Sequence, residues 1–549
     1  MMPPLERRRH LSIISSAFLM MTALVFGKLF GQLREILLAP QIGVGAISDG
    51  YLLGFQIPDL LYELLIGGAI QAAITPTLAG AIENRTLRAG WRSVSIFLNL
   101  AATVMLAFIV IGQFLAPVLI PALYSDKSAE TITVAIRVAR TLFPQVFFMM
   151  LAALCIGILN AYRRFERTAF GPVLYNAGVV LSMLLLGDRT ANGAVKVAAG
   201  VMLSATFFFL LQFYLARDVF SKYYRFSFDI RDPGFKRLLR LAIPTMLAAS
   251  IGQINVIVLN AFIFRSFPQE GLVTALRYAS TTWQLPYGIL AVAIGNVLLP
   301  TLAAHARAGQ NQSFRRLFGH GLRNALFLVI PIAGLFLAMR EDVVRAIFQW
   351  GSSLPDTMVV TTASILVFYC ASIVIQTLIF LFSIACFSAG NTRIPLLGGA
   401  ASLVSNFVFC LVFTRIPGAP PAVMSLSFML SGVCSAAIIT LLFRRRYPHL
   451  RPAGAGRRFS IQMAICLGAT LVVVYALGTL PVPTAGKLWQ LVWLGLRCVA
   501  GILAFYLAAL SLRVPEADAW EKRVAGIVGR LIHRPVKDEN KEDEVPPEE

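Results

Sequence analysis

The stretch from Leu11 to Leu38 reads LSIISSAFLMMTALVFGKLFGQLREILL. A helix needs roughly 20 apolar residues to cross a bilayer, and this run is long enough. Arg7, Arg8 and Arg9 precede it, and a secretory signal also begins with a basic flank before an apolar core. A signal would stop at a small-residue cleavage site. This run instead continues through Lys28 and Arg34 without one. It is read as a first transmembrane helix whose basic flank stays in the cytoplasm.

Working outward, the pattern repeats. Further apolar runs follow at about 46–80, 91–123, 130–161, 168–187, 194–216, 238–264, 270–304, 316–339, 356–388, 393–414, 420–443, 459–480 and 488–512, making about fourteen spans. Of 549 residues, 57% are hydrophobic and only 14% are charged. The mean hydropathy is +0.74. One membrane domain with short loops accounts for this better than a string of soluble domains.

The net charge of +21 invites a nucleic-acid reading. The basic residues lie in the connections between spans, however, as in cytoplasmic loops of membrane proteins. With the N-terminus inside, the termini and even-numbered connections hold about 34 Lys and Arg, against roughly 8 on the other side. Arg163, Arg164 and Arg167 are examples, as are Arg444, Arg445 and Arg446. A missed span would scramble this alternation, so both termini are expected inside. Nucleic acid is not an expected partner.

Chemistry of the enzymatic kind finds little purchase. There is no GxxxxGK[ST] phosphate loop, no HExxH and no GxSxG elbow. The seven cysteines, among them Cys155, Cys370, Cys386, Cys410 and Cys434, form no CxxC pair or Cys/His cluster. No enzyme, cofactor or metal site is expected.

Two halves resemble each other. Phe55-Gln56-Ile57-Pro58 in span two parallels Trp283-Gln284-Leu285-Pro286 in span eight, and Pro76-Thr77-Leu78-Ala79 parallels Pro300-Thr301-Leu302-Ala303. A parallel repeat is a common transporter plan, with the substrate site between the halves. The expected fold is an all-α polytopic membrane protein of two six-helix lobes plus two C-terminal helices. Residues 1–220 form the first lobe, 221–237 a cytoplasmic linker and 238–445 the second lobe. Residues 446–513 carry the last two helices, and 514–549 a cytoplasmic tail. Ala517 to His533 has the spacing of a short amphipathic helix, with Trp520, Val524, Ile527 and Leu531 on one side. Asp538 to Glu549 is acidic and expected to be disordered.

Ionisable groups inside spans are functional candidates by default, because each is costly in the bilayer unless it faces protein or water. The cations of this kind are Lys28, Arg34, Arg137, Arg140, Arg277 and Arg497. Gly27, Gly31 and Arg34 share one face of span one, and the glycines would admit a close helix or a lipid headgroup. Lys28 and Glu35, seven residues apart, lie on a neighbouring stripe and are placed to offset one another. Asp49 opens span two, where it is placed to pair with Arg34; Asp59 and Glu63 follow, four apart on one face. Arg277 falls near Asp49 in the repeat alignment, at the junction of the halves. Arg137 and Arg140, near the end of span four, are placed to line the cavity or to snorkel, and Arg497 reads as structural or lipid-facing. A cavity with several cations suits an anionic amphiphile, since guanidinium binds phosphate bidentately.

These residues carry a family resemblance. Gly27-Lys28-Leu29-Phe30-Gly31-Gln32-Leu33-Arg34-Glu35, then Ser48-Asp49-Gly50, then Phe55-Gln56-Ile57-Pro58-Asp59-Leu60-Leu61, Gly68-Ala69 and Pro76 resemble the opening of the MurJ (MviN) lipid II flippases. Asn160-Ala161, the segment from Phe165 to Pro172, Pro286-Tyr287-Gly288-Ile289-Leu290, Pro300 and Phe348-Gln349-Trp350-Gly351 extend the likeness along the chain. The resemblance implies the MOP exporter fold and alternating access. It implies transport of a lipid-linked saccharide, lipid II, in a bacterial cytoplasmic membrane, with membrane lipids and cell-wall synthesis proteins as partners of a monomer. Lys28, Arg34 and Arg277 would hold the pyrophosphate. Asp49 would position Arg34 and serve the outward gate, and Asp59 and Glu63 would join it in gating ion pairs.

The chain also departs from the family pattern. Tyr62 and Glu63 stand where the family places basic residues, Gly67 where it places an acid, and Ser280-Thr281 where it has Asp-Arg. The cavity is less cationic than usual. Alternatives are a flippase for another lipid-linked oligosaccharide, such as an O-antigen or exopolysaccharide unit, or a non-transporting scaffold in wall synthesis.

Overall fold

A computed structural model of the chain describes residues 4–65, 74–124, 127–267, 269–351, 353–452, 456–480 and 486–518. Gly67, Gly68-Ala69, the tail helix beyond residue 518 and the acidic terminus lie outside the described residues. All regular structure among the described residues is helical. In chain order the helices are α1 (Pro4–Ile42), α2 (Ala46–Leu65), α3 (Thr75–Glu83), α4 (Leu87–Leu123), α5 (Ala129–Ala161), α6 (Phe165–Thr168), α7 (Gly171–Leu186), α8 (Ala191–Tyr223) and α9 (Pro233–Ser266). They continue with α10 (Leu272–Pro286), α11 (Val292–Arg307), α12 (Asn311–Ala338), α13 (Arg340–Phe348), α14 (Asp356–Ser388), α15 (Arg393–Phe413), α16 (Val423–Arg446), α17 (Arg457–Gly478) and α18 (Lys487–Ser511). Among the described residues, 11 helices are long and apolar enough to cross a membrane. Among the described residues, each run read from the sequence falls on a helix or a helix pair. Span eight is α10 and α11 joined by a π-helical segment, Tyr287–Ala291.

Side-chain caps start several helices. Ser128 accepts from Thr131 N to begin α5, Thr190 from Gly193 N to begin α8, and Asp232 from Phe235 N to begin α9. The break between α8 and α9 is shorter than the linker read from the sequence, running only from residue 224 to 232. It is strapped to α4: Asn99 receives the Tyr224 hydroxyl at 2.6 Å, and Ser93 bonds Asp232 at 2.8 Å.

In the first half of the chain α5 packs on α2, α4 and α8; in the second half α14 packs on α10, α11, α12 and α16. The distribution of buried apolar residues positions the site. At the α1–α2 end one core serves both halves, joining Leu38, Ile42 and Tyr124 to Phe264, Val273 and Phe348. Toward the opposite end it divides. Ile74, Trp91, Ile158 and Val219 form one core, and Leu298, Phe318, Phe382 and Phe443 form another. The bundle is thus joined at one end, and a cleft parts the two cores beyond it, with the start of α9 (Phe235, Leu238) packing into the first of them.

Two glycines set the depth of α2. A Cβ on Gly50 would lie 2.7 Å from the Thr131 carbonyl oxygen, and one on Gly54 would lie 2.5 Å from Val138 Cγ1. Only glycine lets α2 sit this close to α5. Helices α17 and α18 are held on α12 through Phe327, Phe459, Cys466 and Phe505.

Candidate functional site

A cavity of about 190 Å³ lies at the division of the cores, lined from both halves by residues including Arg34, Tyr51, Asp59, Asn260 and Arg277. At its centre Glu35 gathers two guanidinium groups. Arg277 Nη2 donates to Glu35 Oε1 at 2.7 Å and Arg277 Nε to Oε2 at 3.1 Å, a two-pronged contact. Arg34 Nη2 reaches the same Oε1 at 2.7 Å. Glu35 is on α1 and Arg277 on α10, so this ion cluster ties the two halves of the chain together.

Exposure separates the members. The Glu35 side chain is 6% exposed, Arg34 26% and Arg277 43%. The carboxylate lies at the back and the cations face the cavity. These contacts use three of about ten guanidinium N–H donors, leaving most available to an anion. Tyr51 Oη and Asn260 Oδ1, also in the lining, are buried without a hydrogen-bond partner. Polar groups are rarely left so unless a ligand or water completes them.

Asp49 stands apart from this cluster, contrary to the expected pairing with Arg34. It is fully buried. Its carboxylate accepts from Gly271 N at 2.8 Å, Thr274 N at 3.0 Å and Thr274 Oγ1 at 2.8 Å. The physical reason is the start of α10. Gly271 occupies its N-cap position at φ +83° and offers no side chain, so the orphan N–H groups of the first turn take the carboxylate of α2. Ser48 Oγ joins Thr274 Oγ1 at 2.9 Å, and Lys127 Nζ donates to the Gln269 carbonyl at 2.8 Å. Burial pushes the Lys127 ammonium below its ordinary pKa, and Asp49 and Glu270 pull it partly back. These contacts shut the α1–α2 end of the cleft. Glu35, not Asp49, positions Arg34, and it does so from the next residue of the same helix.

Other expected contacts also rearrange. Lys28 does not meet Glu35, whose oxygens are occupied by arginines; it is exposed and faces Gly288 of the π-helical segment. Asp59 lines the cavity, but neither it nor Glu63 makes an ion pair among the described residues, since Glu35 already holds both nearby arginines. Gly27 and Gly31 face α7, where an added Cβ would meet nothing nearer than 3.9 Å, so this contact does not demand glycine. Arg137 and Arg140 point outward, to Asn192 and the Gln113 carbonyl. Arg497 is structural: it is buried and bonds Asp342 at 2.6 Å.

Comparison with known proteins decides the family. The model of the family described as lipid II flippase MurJ matches residues 38–494. The chain belongs to the MurJ family. A probable lipid II flippase MurJ of Rhizobium meliloti (strain 1021) is 28% identical over 497 residues, covering 88% of this chain and 90% of the relative. The lipid II flippase MurJ of Burkholderia cenocepacia is 26% identical over 458 residues, covering 82% of this chain and 86% of the relative. A solved lipid II flippase MurJ in an inward closed conformation superposes with a TM-score of 0.74 at 21% identity, covering 90% of this chain and 99% of that one. An inward-facing multidrug resistance MATE transporter of the MOP superfamily superposes with a TM-score of 0.64 at 16% identity, covering 78% of this chain and 96% of that one. The all-helical architecture shared with these transporters and the multi-pass membrane location follow for this MurJ family member.

Sequence reasoning gathered Arg34 and Arg277 as cations of one cavity but missed the residue that joins them. The signal was present, since Glu35 is the only carboxylate in α1 beyond the basic flank. The capping role of Asp49 had a fainter signal. Leu272 opens a helix directly after Gly271 with no Ser, Thr, Asp or Asn before it, which leaves the cap to come from elsewhere.

Proposed function

We propose that this MurJ family chain carries lipid II from the cytoplasmic to the outer face of the membrane by alternating access, without catalysing a reaction. The observation that carries the reading is the Arg34–Glu35–Arg277 cluster, which spans the cleft and turns its cations toward the cavity. The pyrophosphate takes the free N–H groups of Arg34 and Arg277, with Lys28 receiving it on the approach. Glu35 holds both guanidinium groups in place before the ligand arrives. It also competes with the ligand for them, so the charged headgroup is bound weakly enough to leave.

The α1–α2 end is assigned to the outer side. Opening there requires Asp49 to release the first turn of α10, and closing at the opposite end must compensate. The assignment of about fourteen spans, with both termini in the cytoplasm, follows the distribution of basic residues. The lobe boundaries near residues 220, 238 and 446 belong to the same proposal, as does action as a monomer alongside cell-wall synthesis proteins.

A second reading keeps the transport and changes the cargo to another polyprenyl-linked saccharide. The charge of the cavity favours considering it: the lining holds two arginines and two carboxylates, Glu35 and Asp59. Depleting the resident flippase of a host bacterium while expressing this chain tests both. Lipid II reaching the outer surface, with growth restored, is the expected result. Arg34→Ala and Lys28→Ala should abolish rescue while the protein still reaches the membrane. Growth of both variants at the wild-type rate would remove these residues from the site. Well-expressed wild-type protein without surface lipid II would move the assignment to the second cargo.

A further inference from the structure

The cavity has a neighbour of opposite character. A compartment of about 210 Å³ adjoins it, lined by Asp59, Tyr62, Glu63, Gln145, Tyr175 and Gln253 among others. Asp59, Tyr175 and Gln253 line both spaces, so the two adjoin across these side chains. No lysine or arginine lines the second space among the described residues. Asp59 and Glu63 lie one helical turn apart on α2 and face it together. Neither has a hydrogen-bond or ion-pair partner among the described residues.

A third acceptor completes the group, and it is not acidic. Gln145 on α5 is 6% exposed. Its Nε2 donates to the Tyr175 hydroxyl at 3.0 Å, while its Oε1 is buried without a partner. Two carboxylates and an open carbonyl oxygen around one small space are the donor set of a cation with several N–H bonds to give. A primary ammonium carries three. An anion is refused there, and an apolar group would leave the acceptors desolvated and unpaired.

We propose that this compartment binds a primary ammonium on the headgroup of the transported lipid, while Arg34 and Arg277 hold its pyrophosphate. The inference rests on the flippase reading and adds to it a second point of recognition. The ligand is then dipolar and bridges two sites of opposite sign. Such a pair of contacts fixes the orientation of the headgroup, which a cluster of cations alone does not. It also gives a use to the departure at Glu63, where the resemblance leads one to expect a base.

The test uses the full chain in nanodiscs of zwitterionic phospholipid. Two probes are titrated, with binding read by native mass spectrometry. One is lipid II with a free primary amine on its peptide, and the other is the same molecule with that amine acetylated. Wild-type protein should bind the free-amine form about tenfold more tightly, the size of one charge-assisted contact. The Asp59→Asn/Glu63→Gln double variant should bind the two forms with one Kd. Equal binding of both forms by the wild type would overturn the ammonium site and leave the flippase reading intact. Binding of neither form would overturn both. Repeating the titration with choline, a cation without N–H bonds, in place of sodium should preserve the preference. Binding of both forms that rises and falls together with sodium would assign the compartment to a free cation and overturn the proposal.

Discussion

The two halves of α2 hold carboxylates in opposite circumstances. Asp49, in the first half, is fully buried and accepts three hydrogen bonds from α10. Asp59 and Glu63, in the second half, face a polar space and accept none among the described residues. Asp49 and Asp59 are only ten residues apart, about 15 Å along a helix. The first half is pressed into α5 at Gly50 and Gly54, where the two halves of the chain share one core. The second half passes where that core has divided. A buried carboxylate with every oxygen occupied holds parts of the protein together. Carboxylates left open beside a cavity are available to something that is not protein.

The harshest way to break this contrast is to lift the first half of α2 off α5. Gly54→Val places its Cβ 2.5 Å from Val138 Cγ1 and 3.1 Å from the Ala135 carbonyl oxygen. Backbone lies on one side and a branched side chain on the other, so neither can yield cheaply. The expected cost is about 3 kcal/mol or more. The variant should be lost from the monodisperse peak of detergent-solubilised protein. Wild-type yield and melting temperature would mean that α2 does not need this depth.

Asp49→Ala sharpens the comparison by removing the contact without touching the packing. It leaves Gly271 N and Thr274 N unpaired in a buried place, at about 1–3 kcal/mol each. Opening of the same end exposes those groups to water, so the loss falls on the closed form alone. The population should move toward the form open at the α1–α2 end by about tenfold or more. A cysteine placed at Ser280 in the cavity lining reports this through an impermeant thiol reagent applied from outside. Labelling should rise in Asp49→Ala, while the matching Asp59→Ala variant should leave it where it was. Equal labelling in all three backgrounds would show that Asp49 does not hold the gate.

Much of the fold was legible because crossing a bilayer leaves a coarse, one-dimensional signal. Apolar runs and the alternation of basic loops need no knowledge of neighbours. The site was legible in part. Arg34 and Arg277 stood out as charges that the bilayer does not tolerate unpaired. Their partner did not, because spacing along one helix cannot tell which of Lys28, Arg34 or a residue on another helix will reach Glu35. Asp49 was assigned to a cation for the same reason: opposite charges attract attention in a sequence, whereas the positive end of a helix is made of backbone and has no letter.

The glycines show that limit most plainly, and they give the smallest expected effect. Gly27 and Gly31 have the spacing of a close helix contact, as do Gly50 and Gly54. A Cβ at Gly31 would come no nearer than 4.0 Å, to Asn176 Oδ1, which is ordinary contact. Gly31→Ala adds a methyl group to a helix interior without a clash. The gain in helix propensity, about 1 kcal/mol at most, sets the scale. Melting temperature should stay level or rise slightly, and rescue of a flippase-depleted host should persist. Loss of rescue with unchanged stability would place Gly31 against the cargo rather than against α7, since only a ligand approaching that face would feel the methyl group.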